Sequence, residues 1–83
     1  MAGKEFRKPS SELTQILANN IRAFRQKKGL SQESLAHLCG FHRTYIGSVE
    51  RAERNVTLSS LEVFASAFEI SVPELLTKRK GKA

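Results

Sequence analysis

Apolar residues in the first third of the chain recur at helical rather than strand spacing. Leu13, Ile16, Leu17, Ile21 and Phe24 fall at i, i+3, i+4, i+8 and i+11, one face of a single helix. Pro9-Ser10-Ser11 offers a cap for its start, Lys27 and Lys28 suit its last turn, and Gly29 suits the residue just beyond. The spacing predicts a helix over about 11–28. Ser31 then caps a second helix with Glu33 in its first turn, but only Gln32 to Leu38 precede Cys39-Gly40. A helix that short forms only by packing on its neighbours. A third helix is expected over about 42–51, with Ile46 and Val49 inward, followed by a polar loop at 52–56. Thr57 caps a fourth helix whose Leu58, Leu61, Phe64, Ala65 and Phe68 share a face. Ser71-Val72-Pro73-Glu74 reads as a capping box opening a short fifth helix with Leu75 and Leu76. No alternating strand pattern and no internal repeat interrupts this series, so the expected fold is all-α with five helices.

The second and third helices form the most informative unit. Leu35, Ala36, Ile46 and Val49 can meet inside a corner turned at Gly40, a helix-turn-helix over about 31–51. Ala36 has to be small where the helices approach, and Gly40 supplies positive φ. The outer face of the third helix, Arg43-Thr44-Tyr45 with Gly47 and Ser48, is then expected to project from the domain.

Composition narrows what that face can do. All eight acidic residues are Glu, so a Ser-His-Asp triad, an aspartyl dyad and an EF-hand loop are absent. The five glycines stand singly and form no phosphate loop. In an 83-residue domain a catalytic cleft is a poor expectation and binding a better one. The single thiol, Cys39, cannot make an intramolecular disulfide. No apolar run nears the ~20 residues of a membrane span, and the N-terminus lacks a signal-peptide core. A soluble cytoplasmic protein is expected. His37, Cys39 and His42 cluster with Glu33 one turn away, but His37 and Cys39 point to different faces of a short helix; no metal and no cofactor is expected.

The net charge of +6 resides wholly in the two ends, where seven basic residues face only Glu5. The expected organisation is a flexible basic arm at 1–9, a domain at 10–77 and a disordered basic tail at 78–83. The neutral body is itself polarised: from Arg22 to Arg54 seven bases meet three glutamates, whereas Asn55 to Thr77 carries three glutamates and no base. A basic face with basic ends suits a polyanion such as nucleic acid, although a solvated surface has the same composition.

From Ile21 to Leu76 the chain resembles the lambda-repressor/Cro (XRE) type of helix-turn-helix domain, and RTYIGSVERAERNVTLSSLE is similar to controller proteins of restriction–modification systems. The resemblance implies a third helix in the major groove of double-stranded DNA. Arg43, Thr44, Tyr45, Gly47 and Ser48 would then contact bases, although Tyr45 could instead pack against the first helix and Gly47 could be merely tolerated. It implies phosphate contacts by Gln32, Arg51, Arg54, Asn55, Thr57 and Ser60, with Thr57 and Ser60 open to a purely local role. An arginine of the first helix pairs with the glutamate ending the third in this family, a structural role that falls to Arg25 and Glu50. Two departures stand out: His42 is a weak cap for the third helix, and Ala52 sits where glycine is common and positive φ is needed. Proteins of this type read paired half-sites as homodimers. Phe68, Ile70, Val72, Leu75 and Leu76 are the interface candidates, some of which must also close the core. The implied function is a dimeric transcriptional regulator with no enzymatic activity and no small-molecule effector. The contrasting reading is an antitoxin that neutralises a partner toxin through its acidic helices.

Overall fold

The computed structural model describes residues 9–79; the basic stretches at 1–8 and 80–83, which include most of the predicted arm and tail, lie outside them. Five helices follow one another: α1 (Ser11–Lys27), α2 (Gln32–Cys39), α3 (Arg43–Glu50), α4 (Leu58–Phe68) and α5 (Val72–Leu75). Their starts are set locally. Ser10, Ser31, Thr57 and Ser71 each accept a hydrogen bond from the amide three residues on, satisfying donors the helix itself leaves open. His42 caps α3 without any side-chain bond, so α3 begins at Arg43 on its backbone bonds alone.

The turns explain the helix ends. Gly29 and Gly40 adopt φ of 70° and 74°, so each chain reversal falls where no β-carbon opposes it. Ala52 and Glu69 take φ of 61° and 60° without being glycine, which strains each by roughly 1–2 kcal/mol. Ala52 is the position where glycine was expected.

α1 packs on α3, α4 and α5, while α2 packs on α3 and α4, which encloses one core. Leu17, Ile21 and Phe24 of α1 meet Leu35 and Ala36 of α2, Ile46 and Val49 of α3, and Leu61, Phe64 and Phe68 of α4. Phe24 stacks on Phe68 with centroids 5.6 Å apart. Asn20 lies on the buried stripe of α1 and donates its amide to the carbonyls of Leu75 and Thr77, at 2.7 and 2.8 Å, tying the end of α5 to α1.

Four expectations are corrected. Phe68 and Leu75 are buried in this core and have no surface to offer a second copy; Ile70, Val72 and Leu76 remain half-buried against its edge. Leu58 is 79% exposed, because the first residue of α4 lies beyond the elements that cover the rest of that face. Leu13, at the opening of α1, is likewise exposed. The order of the chain also outlasts Thr77, since the Arg79 guanidinium sits 4.7 Å over the ring of Phe24.

Candidate nucleic-acid interface

α3 is fixed to the rest of the fold through one carboxylate. Glu50 ends α3 and is 2% exposed, a position in which a lone charge would be very costly. Arg25 of α1 donates Nε to Glu50 Oε2 at 2.6 Å and Nη2 to Oε1 at 3.0 Å, a two-point ion pair. Gln32 at the start of α2 donates its amide to the same Oε1 at 3.0 Å. Arg22 donates Nη2 to the Glu50 carbonyl at 2.6 Å, and Arg25 reaches the Leu30 carbonyl at 2.9 Å. α1, α2 and α3 therefore meet at one hub, whose directional bonds set their relative positions more than they add net stability. Arg22 was not anticipated, although it lies one turn before Arg25 on the same side of α1.

With its C-terminal end anchored, α3 presents its first turn outward. Arg43 and Thr44 are both exposed. Tyr45 is half-buried: its ring meets Phe41 edge-on at 5.0 Å and lies parallel to Phe64 of α4 at 6.5 Å. The ring packs against Phe64 of α4 and the edge of the core, and the Arg54 guanidinium covers it at 5.4 Å.

Two of the expected base contacts are corrected. Ser48 is 6% exposed, and its hydroxyl is engaged with the Tyr45 carbonyl and with Arg54, so it does not project from α3. Gly47 is buried too. A β-carbon there would stand 3.1 Å from Arg51 Nη1, the movable end of an exposed side chain, and 3.8 Å from Gln32 Oε1.

The residues expected at phosphates divide by what already holds them. Arg51, Arg54 and Asn55 are exposed and line an open groove with Ser11, Thr14 and Gln15 at the N-terminal end of α1. Arg51 pairs with Glu53 at 3.1 Å, a solvent-exposed contact of little energetic weight. The Thr57 hydroxyl is committed to capping α4, bonding the Ser60 amide and the Ser60 hydroxyl, both at 3.1 Å. Gln32 is half-buried and turned toward Glu50.

Among the described residues no three His, Cys, Asp or Glu side chains are grouped so as to hold a metal ion. Burial pushes the Cys39 thiol above its ordinary pKa, which keeps it protonated and a poor ligand at neutral pH. No helix among the described residues is long and apolar enough to cross a membrane.

Two short helices locked across a glycine turn, with an exposed arginine opening the second, define a helix-turn-helix unit of the DNA-binding type. The helix-turn-helix family model matches residues 21–75, and the chain belongs to that family. Within it, the chain is 57% identical over 68 residues to control protein C.SmaI of Serratia marcescens, covering 82% of this chain and 81% of that one. A hypothetical transcription factor from Neisseria has a solved structure that superposes with a TM-score of 0.78 at 43% identity, covering 86% and 83% of the two chains. The restriction–modification controller protein C.Esp1396I, solved as a tetramer in complex with its natural 35 base-pair operator, aligns at a TM-score of 0.69 and 37% identity. That match spans 77% of this chain and 88% of the other.

Proposed function

We propose that this chain is a sequence-specific transcriptional regulator of the restriction–modification controller type, which binds (pseudo)palindromic operator DNA as a homodimer in the cytoplasm. The observation that carries the reading is the Glu50 hub, which holds α3 rigidly on α1 and α2 while leaving Arg43 and Thr44 exposed on its first turn. Arg43 can meet guanine O6 and N7 with two parallel bonds, worth roughly 1–3 kcal/mol of discrimination, and Thr44 offers a hydroxyl or a methyl to the neighbouring pair. Arg51, Arg54 and Asn55 grip the phosphates beside it, where they fix register without reading sequence. Gln32 and Ser60 can supplement that grip, while Thr57 acts through the cap.

Two copies related by a twofold axis would place their α3 helices about 34 Å apart in successive major grooves. Ile70, Val72 and Leu76 provide the half-buried apolar edge for that pairing, in the acidic half of the chain that DNA repels. The reading needs no catalytic residue and no small-molecule effector. In vitro selection from random duplex DNA at ~150 mM salt tests it, because non-specific phosphate binding weakens steeply with salt. An enriched inverted repeat is expected; a pool that stays random would overturn the reading.

A further inference from the structure

Arg54 lies on the loop after α3, six residues beyond Ser48, yet the two side chains meet. The loop is folded back onto the helix it has just left. Its Ala52 amide donates to the Val49 carbonyl at 3.0 Å and its Glu53 amide to the Ser48 carbonyl at 2.9 Å. The reversal is completed at Ala52, in the left-handed region. Arg54 is thereby brought back beside α3, where its side chain meets Ser48 and Tyr45.

The direction of each bond at Ser48 can be assigned. A serine hydroxyl has one proton, and here it is donated to the Tyr45 carbonyl at 2.8 Å. The oxygen is then left as an acceptor, and Arg54 Nε donates to it at 2.9 Å. Nε carries a single N–H, so this bond uses it up and leaves the paired Nη1–Nη2 edge as the remaining fork for an anion. The ring of Tyr45, 5.4 Å beneath the guanidinium, restrains the same group from its face. An edge bond and a face contact together fix both the direction and the plane of an otherwise freely rotating side chain. Freezing its rotamers before binding removes an entropic cost from association.

We infer that Ser48 is a positioning residue for DNA binding: it never reaches the nucleic acid but aims the Arg54 guanidinium at a phosphate of the operator backbone. The inference rests on the DNA-binding reading above and adds to it a residue that acts through another. A purely structural serine, bonding back along its own helix, would leave Arg54 indifferent to its removal.

The test compares wild type, Ser48→Ala, Arg54→Lys and the double variant on a selected duplex and on a scrambled one, with thermal unfolding measured alongside. Ser48→Ala should bind both duplexes about threefold to tenfold more weakly, the range of one ordinary hydrogen bond. Its salt slope should be unchanged, because the charge remains. In the Arg54→Lys background, which has no Nε–H, the same substitution should change binding less than about twofold. Equal losses in both backgrounds would overturn the inference, as would wild-type binding by Ser48→Ala. A wild-type chain that binds no duplex overturns the DNA-binding reading itself, and this inference with it. A further readout needs neither DNA nor a variant that folds. The Arg54 Nε–H proton of the wild-type protein should exchange with solvent markedly more slowly than that of exposed Arg43, and equal rates would overturn the inference.

Discussion

Replacing Glu50 by Gln keeps the shape of the side chain and removes its charge. In wild type the carboxylate accepts two bonds from Arg25 and one from Gln32, all within 3.0 Å. The Arg25 side chain is 13% exposed, so solvent cannot take over the lost partner. The new amide would also turn an N–H group toward donors that now meet an acceptor. Removing one member of a buried pair in this way costs about 3–5 kcal/mol. A chain this small has only about 4–12 kcal/mol in total. At roughly 4–8 °C per kcal/mol, Tm should fall by about 12 °C or more in a thermal melt followed by circular dichroism. Replacing both Arg25 and Glu50 by Met should destabilise less than Glu50→Gln alone, because no buried charge is then stranded. A fall in Tm under about 4 °C for Glu50→Gln, equivalent to less than about 1 kcal/mol, would refute the claim that this carboxylate holds α3 in place.

Other substitutions test separate parts of the account. Asn20→Ala leaves the carbonyls of Leu75 and Thr77 without their donor, and denaturant unfolding should show a loss of about 1–3 kcal/mol. Ala52→Gly relieves a positive φ at some cost in chain entropy, so Tm should rise by a few degrees with DNA binding unchanged. Arg54→Ala should weaken binding to every duplex alike and flatten the dependence of log Kd on log salt by about one contact. Cys39 should react with a thiol reagent more slowly in the folded protein than in the unfolded chain at neutral pH, since burial disfavours its thiolate.

Most of the helices were legible because an apolar pattern comes with a punctuation mark. Ser10, Ser31, Thr57 and Ser71 cap the helices that the sequence predicts, and Gly29 and Gly40 end the first two. His42 shows where punctuation fails: without a capping bond the start of α3 could be settled only by its backbone. Periodicity also could not say what an apolar residue faces. Phe68 and Leu75 follow the apolar pattern equally well against the core or a second copy, and three-dimensional packing decides for the core. The burial of Ser48 was hidden for a related reason: it depends on a loop folding back over α3, a contact that no spacing within α3 encodes. Asn20 was readable in principle. It stands three residues after Leu17 on the apolar stripe, and a polar residue there calls for a buried partner.

The central claim is that α3 reads bases through its first turn. The most direct test measures wild type and Arg43→Ala on the selected repeat and on duplexes with each symmetric base pair changed in turn. The account predicts one symmetric pair at which wild type loses roughly 1–3 kcal/mol per half-site and Arg43→Ala discriminates no longer. Arg43→Ala binding more weakly by the same factor on every duplex, scrambled DNA included, would contradict it.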